Sequence, residues 1–279
     1  MRAHPLNPMT DSDLRRCLRA QTRYPVGAVT WETVHGGSGR IRPALAAATA
    51  RGERLVVVDA ITDEDLVAIG EACADAPLLT GGSGIGLGLA LNVRRTAAPQ
   101  VQGFKPRMGP DAILAGSCSQ ATLRQIAHHS QHHPSLHIPV EDVMEGRLSV
   151  DGLVAFVEGN LGRNPLIHTS DQAAGIAAVQ ARYGTGVVAA AIDAMFAALA
   201  RRLVDRGVTR LVVAGGETSG AVVTALDIGA LAIGPEIAPG VPAASANTAQ
   251  PLLLALKSGN FGQVDFFERT LRVLATGVP

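Results

Sequence analysis

The amino-acid sequence predicts an α/β protein built as two doubly wound, parallel or mixed-sheet domains. Three observations carry that expectation. Short β-branched runs alternate with helical periods along most of the chain, the pattern of parallel strands joined by crossover helices. Glycine-rich turns follow several of these runs directly, where open sheets keep their ligands. The pattern breaks once, between Val93 and Pro110, and then restarts, as expected of two separate cores.

Composition narrows the class. With 279 residues, 47% hydrophobic and 17% charged, the chain can bury one large core or two modest ones, the balance of a folded globular protein rather than of a disordered one. The 24 basic and 24 acidic side chains cancel, so the totals carry neither a nucleic-acid footprint nor attraction to an anionic membrane. Cys17, Cys73 and Cys118 are odd in number and lack CxxC spacing, which argues against a disulfide framework and for a reducing, cytoplasmic setting. Residues 1–10 lack the apolar core of a signal peptide. The richest apolar run, Val187 to Ala200, is too short to span a bilayer and carries Asp193, so it reads as a core helix.

Taken in order, His4 to Pro8 is a proline-fixed extended segment, after which Thr10 or Asp11 is expected to cap a helix reaching Gln21. Val26 to Thr30 predicts a strand, Ile41 to Arg51 a helix, Arg54 to Ala60 a buried strand, Asp63 to Cys73 a helix and Leu78 to Thr80 a further strand. Gly81-Gly82-Ser83-Gly84 then forms a turn before the helical run Leu87 to Leu91, and is a candidate for an anion or small molecule. Beyond the linker come strand Ala112 to Ala115, a Gly116 to Ser119 turn, and a helix from Gln120 to about His129. Ser135 to Val140 is extended, short helices follow near Glu141 to Glu145 and from Asp151 to Leu161, and strand Pro165 to Thr169 ends in His168-Thr169-Ser170-Asp171. A long helical region broken at Gly184 to Gly186 leads to strand Leu211 to Ala214. Leu231 to Gly234, a proline-rich passage from Pro235 to Pro242, strand Leu252 to Leu256 and a closing amphipathic helix from Asp265 to Leu274 complete the chain.

The stretch LVVAGGETSGAVV, 211–223, concentrates the chemistry. Its strand enters Gly215-Gly216, where absent Cβ atoms let the backbone turn sharply and approach a ligand. Thr218 or Ser219 is expected to cap the next helix, whose N–H groups and dipole favour a phosphate at that end. No Walker A loop is present, since GK[ST] is lacking. The loop Lys257-Ser258-Gly259-Asn260-Phe261-Gly262 repeats the glycine and hydroxyl theme, and Lys257 is either a point charge for a phosphoryl group or a solvated surface lysine. His128, His129, His132 and His133 form HHSQHH, with the i, i+4 spacing of helical metal ligands. Pro134 stops the helix there and no HExxH glutamate follows, so histidines at a fraying, exposed terminus explain the run and no metal is assigned to it.

The segments HPLNPMTDSDL (4–14), TGGSGI (80–85), AGSCSQATLRQI (115–126), AGGETSGAV (214–222) and LALKSGNFGQVDFF (254–267) together resemble the four-carbon acid sugar kinase family, over essentially the whole chain. The resemblance implies an N-terminal acid-sugar domain, a C-terminal ATP domain, and phosphoryl transfer between them to the terminal hydroxyl of a 3-oxo-tetronate, threonate or erythronate. Carried over, it implies that Gly216, Glu217, Thr218 and Ser219 contact the nucleotide, that Gly259 closes over it beside Lys257, and that Ser170 completes the pocket, with Gly82, Ser83 and Gly84 on the substrate side. Glu217 suits a ribose hydroxyl or the water shell of Mg²⁺. Family members carry, ahead of these motifs, an Asp-Asp-x-Thr-Gly segment that this chain lacks. The first domain is therefore expected to be incomplete, with residues 1–97 its remnant, 98–110 a linker and 111–279 the nucleotide domain. No catalytic residue is assigned, and the expectation is ATP and Mg²⁺ binding with little transfer. A non-catalytic nucleotide- or metabolite-binding protein is the alternative, and a metal-dependent hydrolase using the histidine run a weaker one. ATP and a small sugar acid are the expected partners, without nucleic acid or membrane; a homo-oligomer is compatible.

Overall fold

The computed structural model describes residues 9–93, 103–171 and 173–279. The extended segment expected at His4 to Pro8 lies outside the described residues, as do residues 94–102 of the expected linker. The chain divides into two compact units, Met1–Pro99 and Gln100–Pro279.

The first unit opens with α1 (Leu14–Arg19), capped by Asp13, whose carboxylate accepts from the Arg15 amide at 3.0 Å. The cap expected at Thr10 or Asp11 is thus displaced; Asp11 pairs instead with Arg16 at 2.6 Å. Strand β1 (Val26–Val29) leads through α2 (Trp31–Val34) and α3 (Ser38–Ala50) to β2 (Leu55–Val58), which pairs with β1 in parallel from Val26↔Leu55 to Val29↔Val58. The short α2 was not expected from periodicity, because one turn is too brief to show a period. Helix α4 (Asp63–Ala72) starts in a capping box between Thr62 and Asp65. Asp65 is 2% exposed and accepts from Trp31 Nε1 and from the Ile61 and Thr62 amides, each at 3.0 Å. Val29, Val34, Ile41, Ile69, Ala72 and Cys73 form the core between these elements. Helix α5 (Ile85–Ala90) crosses α4 so closely that a Cβ on Gly70 would stand 2.2 Å from the Gly88 carbonyl carbon. The strand expected at Leu78 to Thr80 is not formed: Leu78 is 82% exposed, and three residues between Pro77 and two glycines have no neighbouring strand to join. The expected burial of the second strand is also incomplete, each residue of β2 being half-buried.

The second unit runs β3 (Asp111–Ala115), α6 (Gln120–His129), β4 (Ser135–His137), α7 (Val140–Met144), α8 (Val150–Glu158), β5 (Leu166–His168), α9 (Ala173–Tyr183), α10 (Thr185–Asp205), β6 (Arg210–Ala214), α11 (Gly216–Ala225), β7 (Leu231–Ala238), β8 (Val241–Ala246), β9 (Leu252–Lys257) and α12 (Phe266–Thr276). One mixed sheet takes all seven strands in the order β4-β5-β3-β6-β9-β8-β7. The first five are parallel, and β8 and β7 add antiparallel at one edge. The proline-rich passage from Pro235 to Pro242, to which no strand was assigned, therefore belongs to the sheet. Pro235 is tolerated because β7 is the outermost strand, where a missing N–H costs no ladder bond, and the β7/β8 register shifts on both sides of Glu236.

Continuous apolar strands follow from burial on both faces. Leu114, Leu211, Val213 and Leu254 meet Leu153, Val157, Phe196, Leu199 and Leu203 of α8 and α10 on one face. Ile113, Val212, Leu253 and Ala255 meet Ile126 of α6 and Phe266, Phe267, Leu271 and Leu274 of α12 on the other. Each fully buried large side chain contributes roughly 1.5–3 kcal/mol, so this double-sided core dominates the unit's stability. At the amino edge Arg210 spans β3 and β6, donating to Asp111 at 2.5 Å and to the Gly109 and Leu271 carbonyls at 2.8 and 3.1 Å. Burial lifts the Asp111 carboxyl above the ordinary range, and Arg210 pulls it back.

Candidate functional site

Connections leave the neighbouring strands β3 and β6 in opposite directions: β3 continues toward β4 and β5, β6 toward β9, β8 and β7. This is a topological switch point, the crevice in which open α/β sheets bind ligands at their carboxyl ends. Four strand-ending turns meet along that edge, at 116–119 after β3, 169–171 after β5, 215–219 after β6 and 257–262 after β9. They are tied to one another by the backbone. Gly116 and Ser117 amides donate to Ala214 O at 3.0 and 3.1 Å, Thr169 to Ala115 O at 3.1 Å, and Gly215 to Lys257 O at 2.8 Å.

Helix α11 begins one turn earlier than the sequence suggests. Its N-cap is Gly215, at φ 142°, and Gly216 is the first helical residue. Thr218 and Ser219 therefore stand inside the first turn and are not caps. The reason is geometric: β6 ends at Ala214, and only a glycine fits the left-handed turn beside Gly116, where Thr218 Oγ1 already lies 2.4 Å from the place of a Cβ. Thr218 donates its hydroxyl to Asp193 Oδ1 of α10 at 3.1 Å. Burial raises the Asp193 carboxyl; the Thr218 bond lowers it and nearby Glu217 raises it further. Gly216 and Glu217 are exposed at the helix start, and a Cβ on Gly216 would meet nothing within 4 Å. The first amides of α11 have no intrahelical acceptor and carry the positive end of the helix dipole. Ser219 is 8% exposed and its Oγ has no protein partner; the same holds for Thr169 Oγ1, in a residue 1% exposed. Buried hydroxyls without partners are uncommon and costly, and these two stand in turns on either side of β3.

The KSGNFG loop is gripped by α6. The Gly259 carbonyl accepts from Ser119 Oγ at 2.5 Å, Thr122 Oγ1 at 3.0 Å and Lys257 Nζ at 2.9 Å. Lys257 also donates to Thr122 Oγ1 at 2.9 Å and Ser258 O at 3.2 Å, and its ammonium lies 5.7 Å from the Phe266 ring centre. Lys257 is fully buried, which removes the solvated-lysine reading. Two of its three donors go to loop carbonyls and the third to Thr122 of α6, so it fixes the backbone of 257–259 against that helix rather than offering a spare donor to a phosphoryl group. Burial brings its pKa down to about 8. One turn further along, Gln125 Nε2 donates to Phe261, Gly262 and Gln263 carbonyls at 3.0, 3.1 and 2.9 Å.

The structure thus brings Gly216, Glu217, Thr218, Ser219, Lys257, Gly259 and Ser170 to one edge. Ser170 itself is 4% exposed and spends its hydroxyl on Ala115 O at 3.3 Å; its neighbour Thr169 holds the unpartnered oxygen. Gly82, Ser83 and Gly84 lie in the other unit, exposed or half-exposed, before a six-residue helix and with no strand leading in, so the strand–turn–helix argument for them fails. Sequence reasoning passed over Asp193, Ser119, Thr122 and Gln125. The signals were there: one carboxylate inside the apolar run Val187 to Ala200, and polar residues at 119, 122 and 125 spaced to share one helix face.

Two family profiles match the chain: one described as a sugar-binding N-terminal domain over residues 1–89, the other as a nucleotide-binding C-terminal domain over residues 112–267. A 3-oxo-tetronate kinase of Cupriavidus necator is 44% identical over 279 residues, covering 98% of this chain and 64% of the relative. One of Methylobacterium radiotolerans is 45% identical, covering 99% and 66%. Among solved structures, a Salmonella typhimurium protein crystallised under the name of a tRNA synthase superposes with TM-score 0.74 at 40% identity, covering 96% of this chain and 64% of that one. A Haemophilus influenzae protein superposes with TM-score 0.64 at 36% identity, covering 98% and 66%. The chain therefore spans about two thirds of the length of these relatives. No helix among the described residues is long and apolar enough to cross a membrane.

Proposed function

The chain belongs to the four-carbon acid sugar kinase family, and from that premise we propose that residues 111–279 bind ATP along the carboxyl edge of β3, β6 and β9. The activity served is transfer of the terminal phosphoryl group to the terminal hydroxyl of a four-carbon acid sugar, with residues 1–97 on the acid-sugar side. Of the candidate acceptors, 3-oxo-tetronate is favoured over threonate and erythronate by the names of the relatives. The observation that carries the reading is the pair of buried, unpartnered hydroxyls, Ser219 and Thr169, beside the open start of α11.

In this reading the first amides of α11 and the Ser219 hydroxyl donate to phosphate oxygens, a favourable arrangement because helix dipole and donors act on the same charge. Gly216 leaves the space that a phosphate needs. The 258–262 loop closes over the nucleotide in the conformation that Lys257, Thr122 and Gln125 impose. Mg²⁺ would neutralise the phosphates while keeping most of its waters, with exposed Glu217 the carboxylate placed to accept from that shell. Gly82, Ser83 and Gly84 are assigned to the acid sugar by family position alone. Phosphoryl transfer depends mainly on positioning and charge stabilisation, and the site supplies both for the donor.

Calorimetric titration of the chain with ATP and Mg²⁺ tests the donor half, and ADP release with a panel of 3-oxo-tetronate, threonate and erythronate tests the acceptor half. Acid-dependent ADP release with the phosphorylated acid as co-product assigns the full reaction to this chain. ATP binding without acid-dependent release assigns it nucleotide binding alone, and absence of ATP binding removes the reading.

A further inference from the structure

At the amino edge of the seven-stranded sheet, away from the nucleotide turns, the last turn of α6 meets the first turn of α12. His129, His133 and Glu268 converge there, one ligand atom of each lying within 4.8 Å of the others. His129 is completely buried, and the other two are half-buried. The run HHSQHH alone lacked a carboxylate; the fold supplies one from 135 residues further along the chain.

The hydrogen bonds around the two rings fix the role of one nitrogen in each. His129 Nε2 lies 2.8 Å from Asn164 O, and His133 Nδ1 lies 3.2 Å from Arg163 O. Carbonyls only accept, so each of these nitrogens carries a proton, and Nδ1 of His129 and Nε2 of His133 are the nitrogens left to meet a ligand. A histidine whose second nitrogen donates to a backbone carbonyl is the arrangement that orients metal ligands. The two carbonyls are consecutive, presented by a turn in which Asn164 adopts φ 56°, a left-handed conformation uncommon outside glycine. His129 Nδ1 faces Glu268 Oε1 at 2.7 Å. That contact is held by a proton in the empty site, and a metal ion would take the proton's place between the same two atoms. Glu268 Oε2 is buried and has no protein partner, leaving the carboxylate with a second acceptor to use.

We infer that His129, His133 and Glu268 form a binding site for one divalent transition ion of the zinc class, held by two imidazoles and one carboxylate and completed by water. Two nitrogens and a carboxylate oxygen are a known zinc set. An ion there ties the end of α6 to the start of α12, the two helices that respectively grip and follow the 257–263 loop. His128 and His132, on the same helix end, lie outside the set.

The test uses the full chain, stripped with a chelator and dialysed, titrated with Zn²⁺ by calorimetry and with Co²⁺ by visible absorption, which reports coordination directly. One ion per chain is expected. His133→Gln and, separately, Glu268→Gln should each weaken Zn²⁺ binding by about 100-fold or more, since even residues that only orient a ligand are worth about 10–100-fold. His128→Gln combined with His132→Gln should leave it within about threefold, a difference of roughly 0.6 kcal/mol. Circular dichroism confirms that each variant is folded before it is read. Absence of stoichiometric Zn²⁺ binding, or binding that survives His133→Gln and Glu268→Gln but fails in the 128/132 variant, overturns the site. In the first case a proton alone joins His129 to Glu268.

Discussion

At the scale of single residues, the nucleotide reading separates binding from folding. A Cβ at Gly216 meets no protein atom within 4 Å, and valine is a better helix residue than glycine. Gly216→Val should therefore leave thermal stability unchanged or slightly raised while abolishing ATP binding, because the isopropyl group occupies the phosphate's space. Ser219→Ala should also split the two properties. It removes a buried hydroxyl without a protein partner, so the apo protein should gain about 1 kcal/mol, while ATP binding weakens by about 1–2 kcal/mol for one lost bond to a charged group. Calorimetry and thermal melts on the same samples check both; parent-like ATP affinity in Gly216→Val would remove the phosphate from this turn. His168, at the end of β5, gives a pH signature. Burial, and then the neighbouring His137, lower its pKa to about 4 from 6.5. The unfolded chain takes up this proton near pH 6.5 and the folded protein only near pH 4, so stability falls as pH drops through that window and is level outside it. The gap corresponds to at most about 3 kcal/mol, reduced by solvent screening of a half-buried ring. Melts from pH 7 to pH 4 should show the loss, and His168→Gln should flatten it relative to the parent.

At the scale of elements, α6 works as a clamp on a loop that belongs to another part of the chain. Gln125→Ala removes the amide that holds three successive carbonyls. Hydrogen exchange of the 258–263 amides should accelerate, with the α12 amides little changed, and ATP affinity should fall by about 1–2 kcal/mol if the loop's order serves the nucleotide. Unchanged exchange would mean that Lys257 and Thr122 suffice. How far these elements could be read from sequence depended on range. Runs such as Leu211 to Ala214 and Leu252 to Leu256 were legible because burial on both faces writes a continuous apolar segment. The turns after them were legible because glycines and hydroxyls at strand ends have few other uses. The end of strand β7 and the start of β8 were hidden by Pro235, which the outermost strand tolerates, and by Pro242, which stands opposite the irregular register at Glu236, and Leu78 to Thr80 read as a strand although nothing pairs with it. The spacing of Ser119, Thr122 and Gln125 on one helix face was visible, but what these residues and His129 hold was not, because their partners lie 137 to 140 residues away.

At the scale of the molecule, the two faces of the seven-stranded sheet are covered by helices of the same unit, and both large cores are closed within it. Residues 103–279 expressed alone should fold cooperatively and bind ATP and Mg²⁺ with an affinity within about threefold of the full chain, or roughly 0.6 kcal/mol. A fragment that stays unfolded would show that the first unit contributes to the core of the second. The outer strand β7 has a consequence of another kind. Any sheet with an open side risks recruiting strands from other molecules as concentration rises. Here a recruit would find no N–H at Pro235 and a backbone shifted out of register on both sides of Glu236, so a growing ladder would break within two residues. Straightening that side with Pro235→Val and Glu236→Thr should leave the monomer folded yet hasten the rise of light scattering on warming, turning a terminated sheet into a template for fibrils.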